Sequence, residues 1–275
     1  MSDIPIQKYQ NKKLGQVFLK DKNILDKIIQ SAAIQKTDTI VEIGCGEGVL
    51  TQELVQKAKE VIVFEFDKHY LDYTQTLLSD VKTLQFVQGD ILKTGFGSLN
   101  KKVFRIIANI PYQISSGLLS LMQKHHTQLG KSVLMVQKEF ADKLAANPGE
   151  KAYSALSIFA QFYFETKTLF PVSKNCFTPI PKVDSAVISI LPRKKTLVSV
   201  NTNLFFSIVK AAFWGRRKPL SSSLLKSPYL DLPKSIKTLP FFDLHNNKRG
   251  EVLSIPEFAE LTDQIESLLK RKNNS

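Results

Sequence analysis

Between residues 39 and 146 the chain alternates short apolar runs with stretches of helical spacing, and few folds accommodate that rhythm. The runs Thr39–Ile43, 61–66, 84–87, 103–108 and Ser132–Gln137 read as strands. Residues 49–58, 68–79, 114–125 and 138–146 place apolar side chains at helical period, as does 21–34 before the first run. Strands separated by helices pair in parallel, so the pattern predicts an α/β fold with a doubly wound, mostly parallel sheet. Residues 154–170 and 184–192 are rich in β-branched and aromatic residues and predict further strands, with the proline-rich FTPIPKVDSA loop (177–186) between them. From about residue 194 the segments LFFSIVKAAFWG, SSSLLK and IPEFAELTDQIESLLK are helical, with no strand between them. The cluster PRKKT (192–196) therefore marks a boundary between a domain of residues 1–194 and a small all-α domain of 195–275. The closing KRKNNS reads as a disordered tail.

Ligands of open α/β sheets bind beyond the carboxyl ends of the strands, and here those ends are chemically distinctive. The first closes on Gly44-Cys45-Gly46-Glu47-Gly48, a turn that lets a ligand approach the backbone. Its spacing is not the GxGxxG of dinucleotide sites, and no GxxxxGK[ST] is present to clamp a triphosphate. Glu65, 21 residues after Gly44, ends the next strand and is placed to accept hydrogen bonds from both hydroxyls of a ribose. Asp90 ends the third, placed for an adenine amino group, and Asn109-Ile110-Pro111-Tyr112 ends the fourth. An amide, a proline turn and an aromatic ring there suit a flat base with an exocyclic amino group. For the tetrapeptide alone, an ordinary strand-to-helix turn with a packing tyrosine is the better account. Taken jointly, a glycine loop and carboxylates suit S-adenosylmethionine. Helix-start N–H groups favour its carboxylate and the acids favour its sulfonium and amino groups.

The net charge is +13, which favours a polyanionic partner. Residues 193–275 carry 15 Lys and Arg against 7 Asp and Glu, so most of the excess lies in the helical domain. No apolar run is long enough to span a membrane. The first residues have neither an apolar h-region nor the Arg-rich, acid-free helix of a transit peptide, so a cytoplasmic location is expected. Two cysteines, Cys45 and Cys176, and four histidines show no metal-ligand spacing, and no metal is expected.

With these residues in hand, the chain resembles the rRNA adenine N6-dimethyltransferases, and among them the small-subunit (KsgA) type. The resemblance spans nearly the whole sequence. It rests on GQVFL (15–19), VEIGCGEGVLT (41–51), Glu65-x-Asp67, Gly89-Asp90, NIPYQIS (109–115), QKE (137–139), KAYSALS (151–157), FTPIPKVDSAV (177–187) and AFWGRRK (212–218). It implies a class I, Rossmann-like methyltransferase domain that binds S-adenosylmethionine, followed by a helical RNA-binding domain. It further implies cofactor contacts from Gln16, Val17, Leu19, Gly44, Gly46, Glu65, Asp90, Ile91 and Asn109. Asn109 and Tyr112 would carry the chemistry, with the Tyr112 ring face as the part that counts. Substrate contacts would come from Tyr112, Phe177, Arg216, Arg217 and Lys218. Phe177 as a core aromatic anchoring its loop, and the three cations as a solvated face, are the alternatives. Val17 replaces the Asn or His frequent in the family, and Cys45 the usual Pro. The implied reaction is N6,N6-dimethylation of two adjacent adenosines in a hairpin near the 3′ end of small-subunit rRNA, by a monomer acting on an assembling particle. The rivals are a large-subunit (Erm) type enzyme, which often shares NIPY, a non-catalytic RNA-binding relative, and a small-molecule methyltransferase.

Overall fold

The computed structural model describes residues 16–99, 103–245 and 247–273. The elements of the first half are β1 (Phe18–Leu19), α1 (Lys22–Ala32), β2 (Thr39–Ile43), α2 (Val49–Lys57), β3 (Glu60–Glu65), α3 (Lys68–Leu77), β4 (Leu84–Gln88), α4 (Ile91–Thr94), β5 (Arg105–Asn109), α5 (Ser115–Lys124) and β6 (Ser132–Gln137). They are followed by α6 (Lys138–Ala145), α7 (Ala155–Tyr163), β7 (Phe164–Val172), β8 (Phe177–Thr178) and β9 (Ser185–Pro192). The helices α8 (Thr202–Trp214), α9 (Leu220–Lys226), α10 (Pro240–Leu244) and α11 (Ile255–Asn273) complete the chain. Contacts divide it into two compact units. One holds the residues up to Ala141 together with Lys167–Pro192; the other holds Asp142–Thr166 and everything from Arg193 onward.

A seven-stranded sheet has the order β4-β3-β2-β5-β6-β9-β7. Strands β4, β3, β2, β5 and β6 run parallel, and β9 is antiparallel to β6. The order turns back between β2 and β5, and at such a switch point a crevice opens at the strand ends. Register brings those ends level: Ile43 pairs with Phe64, Glu65 with Gln88, and Asn109 with Met135. The residues that follow each strand therefore meet at one sheet edge. β2 is buried along its whole length, which its apolar residues favour and which leaves Glu42 enclosed. Aspartates start three of the flanking helices. Asp21 accepts from the N–H groups of Asn23 and Ile24, Asp67 from that of His69, and Asp90 from that of Leu92. Each such cap is worth about 1 kcal/mol.

In the second unit, Phe162, Phe205, Phe241 and Phe258 lie in one core with aliphatic residues from α7, α8, α9 and α11. Arg193 is bound within it. Its N–H donates to the Tyr163 carbonyl at 2.9 Å, its Nε to the Gln161 carbonyl at 2.9 Å, and it pairs with Glu165 at 3.2 Å.

Three expectations change. Residues 155–163 are helical, not extended. Ser154 and Ser157 form a reciprocal cap, and the helix buries Ile158, Ala160 and Phe162. A segment apolar on all sides has no period, so β-propensity misleads there, and the strand begins only at Phe164. Asp142–Thr166 groups with the second unit, and the first unit ends at Pro192. The closing segment is helical through Asn273, with residues 274 and 275 outside the described residues.

Candidate functional site

The loop after β2 holds Gly44 at φ 78°, Gly46 at φ 50° and Gly48 at φ 76°, a region that side chains disfavour. Gly46 is needed for a second reason: a Cβ there would lie 2.9 Å from Cε1 of Phe18. Residues 16–20 are thus strapped across the loop. β1 pairs with β8, the Gln16 amide donates to Asp67 at 3.2 Å, and the Phe18 ring packs on Tyr70 with centroids 5.1 Å apart. Lys20 ion-pairs with Glu47, and its backbone N–H reaches the Cys176 carbonyl at 2.8 Å.

Beneath the strap is a cavity of about 420 Å³, a size ordinary for a small-molecule site. Gln16, Val17, Leu19, Gly44, Gly46, Glu65, Asp90, Ile91, Asn109 and Tyr112 all line it. Glu65 is buried and already organised. One oxygen accepts from the Gly46 N–H at 3.3 Å and the Cys45 thiol at 3.5 Å, the other from the Asp67 N–H at 2.9 Å. Burial and the neighbouring Glu65 and Glu42 carboxylates push the Cys45 thiol far up, so it stays a neutral donor. Asp90 uses one oxygen for its helix cap, which orients the carboxyl at the cavity rim. Asn109 closes β5, and the next N–H, of Ile110, is bound to the Met135 carbonyl at 2.9 Å. Pro111 then turns the chain and Tyr112 stands half-buried in the cavity wall, its hydroxyl 2.9 Å from Oγ of Ser185.

Of the five residues expected to contact substrate, Tyr112 lines this cavity and the other four do not. Phe177 is 2 % exposed and packs in the core with Val172 and Val187, so its ring does not face the cavity. Its place in β8, paired with Leu19, makes it an anchor for the strap. Arg216 is a brace of the second unit, with Nε 2.6 Å from Glu251 and Nη2 donating to the Lys151 carbonyl at 2.7 Å. Lys218 lies 5.5 Å from the ring centroid of the half-exposed Trp214. Arg217 makes no ion pair among the described residues.

Glu42 is the site residue that the sequence reading missed. It lines the cavity, is 1 % exposed, and neither carboxylate oxygen has a hydrogen-bond partner among the described residues. Burial raises its pKa to about 8; the Thr51 hydroxyl nearby, outside hydrogen-bonding geometry, opposes this and the charge of Glu65 adds to it. The available signal was a lone acid in the otherwise apolar strand TIVEI. Among the described residues no cluster of three or more His, Cys, Asp or Glu could hold a metal ion. No helix of these residues is long and apolar enough to cross a membrane.

The family model for ribosomal RNA adenine dimethylase matches residues 7–262. A protein of Clostridium botulinum (strain Loch Maree / Type A3), named ribosomal RNA small subunit methyltransferase A, is 38 % identical over 270 residues, covering 96 % of this chain and 98 % of its own. A Bacillus pumilus protein of the same name is 38 % identical over 268 residues, with coverages of 94 % and 92 %. Among solved structures, a dimethyladenosine transferase from Plasmodium falciparum superposes with a TM-score of 0.79 at 29 % identity, over 91 % of this chain and 98 % of that one. The 23S rRNA methyltransferase ErmE shares the fold, with a TM-score of 0.71 at 24 % identity over 90 % and 99 % of the two chains.

Proposed function

Because the chain belongs to the ribosomal RNA adenine dimethylase family, we propose that its cavity takes S-adenosylmethionine and that Asn109 and Tyr112 present an rRNA adenine to it. The protein is an rRNA adenine dimethyltransferase of the small-subunit type. It methylates N6 of two adjacent adenosines in a hairpin near the 3′ end of the small-subunit rRNA. One observation carries the site assignment: the glycine loop, Glu65, Asp90 and Asn109, from four successive strands, converge on one cavity. The name shared by relatives at 38 % identity favours the small subunit over the large one.

The residues fit the cofactor. Glu65 is a buried carboxylate already organised beside a glycine cradle, Asp90 stands at the rim and Glu42 is a buried acid; this donor set suits a cation that also carries a ribose. Glu65 would hold the ribose and Asp90 the adenine amino group, while Gln16, Val17, Leu19 and Ile91 close the walls. When bound, S-adenosylmethionine supplies an electrophilic methyl group.

The chain's own task is positioning. An adenine amino group is a poor nucleophile because its lone pair is delocalised into the ring. The Asn109 side-chain oxygen and the Ile110 carbonyl accept its two hydrogens, which aims the lone pair into the cavity. Tyr112 stacks on the extruded base. The nitrogen becomes acidic once methylated and sheds its proton to water or a neighbouring acceptor, so no dedicated base is needed. In the second unit, Arg217 and Lys218 would contact phosphates. The same reading makes the chain a cytoplasmic monomer acting on an assembling particle.

The test is to incubate the protein with labelled S-adenosylmethionine and either unmodified small or large subunits, then map the modified base. Label confined to two adjacent small-subunit adenosines is expected; label in large-subunit rRNA instead would overturn the assignment.

A further inference from the structure

The cavity-lining Tyr112 belongs to a short turn after β5, and its hydroxyl is tied to a different part of the chain. The partner, Oγ of Ser185, is 2.9 Å away and 73 residues distant in sequence. Ser185 is fully buried at the start of β9, in the run SAVISI. A buried hydroxyl requires a partner, and Tyr112 is the one the described residues offer it. The backbone beneath Ser185 is held from three directions. Ser185 pairs with Gln137 of β6, the Asp184 carbonyl accepts from the Lys138 N–H at 3.0 Å, and the Asp184 carboxylate accepts from the Lys174 N–H at 2.9 Å. Ser185 is thus a hydroxyl on a well-held strand start, reaching a ring on the short turn that follows β5.

The phenol oxygen lies on the axis about which the ring turns, so fixing it sets the first side-chain torsion and with it where the ring stands. A stacking surface serves catalysis best when its place is set before the base arrives. We propose that Ser185 is a positioning residue for methyl transfer: its hydroxyl holds the Tyr112 ring in the place where the target adenine stacks. The inference rests on the functional reading above and extends it to a residue outside the cavity lining. It also alters the expectation that only the ring face matters. Tyr112→Phe keeps the ring but cuts the tether.

Single-turnover methylation of unmodified small subunits at saturating cofactor tests the pair, using the full chain and the variants Ser185→Ala, Tyr112→Phe, the double variant and Tyr112→Ala. Each of the first two should slow transfer by about three- to tenfold, the loss expected for one hydrogen bond. The double variant should be no slower than either single one, since the two changes break the same contact. Tyr112→Ala should fall further, and S-adenosylmethionine affinity by calorimetry should stay unchanged for Ser185→Ala. A wild-type rate for Ser185→Ala, or losses that multiply in the double variant, would overturn the inference. Should Ser185→Ala lose cofactor binding through misfolding, Tyr112→Phe decides alone: a wild-type rate overturns the tether and a comparable loss supports it. Absence of transfer by the wild-type chain with cofactor bound would instead bring down the functional reading, and the role of the pair with it.

Discussion

Glu42→Gln isolates a single buried proton. Burial pushes the Glu42 carboxyl up from an ordinary 4.5 to about 8 in the folded chain. The folded state therefore keeps a proton that the unfolded state releases between those values. Stability from this group falls as pH rises through that window and is flat above it. At 1.36 kcal/mol per unit, the full cost is on the order of 3–5 kcal/mol, reached only above pH 8. Glutamine has a similar shape and no proton to lose. Its own penalty as a buried amide is the same at every pH, so it cancels when two pH values are compared. The variant should gain on the wild type by roughly 10 °C in melting temperature between pH 5.5 and pH 8.5. Thermal melts followed by circular dichroism, without ligand, measure this directly. If the difference between variant and wild type is the same at both pH values, Glu42 does not carry a displaced proton, and the argument from its unpartnered burial fails.

Glu65→Ala should weaken S-adenosylmethionine binding by about 1.5–3 kcal/mol, the range for a charged hydrogen-bond partner, as read by titration calorimetry. Asn109→Ala should lower the single-turnover rate by about 10²-fold or more, comparable to losing a preorganised polar group, with cofactor affinity much less affected. Changing Arg217 and Lys218 together to Ala should weaken RNA binding and flatten its salt dependence by about two counterions, measured by titration over a range of salt. Arg216→Ala should instead lower the melting temperature, because that guanidinium braces Glu251 and the Lys151 carbonyl rather than facing solvent alone.

Much of this molecule is local and so could be read in one dimension. Strand and helix periods are set by neighbours a few residues apart, and glycines, aspartates and an asparagine at strand ends mark where each element stops. A parallel sheet then brings those ends to one edge, so Gly44, Glu65, Asp90 and Asn109 could be grouped before any coordinates. What needed the tertiary structure is what depends on partners far along the chain. Phe177 became a core anchor because it pairs with Leu19, and Arg216 became a brace because Glu251 stands opposite it. Residues 155–163 became helical because the core of the second unit took up Ile158 and Phe162 on one helix. Glu42 gained its displaced proton from complete burial beside Glu65, and Tyr112 gained its tether from a serine 73 residues away. Periodicity is written in adjacent residues; burial, charge coupling and hydrogen-bond pairing exist only once distant segments have been packed together.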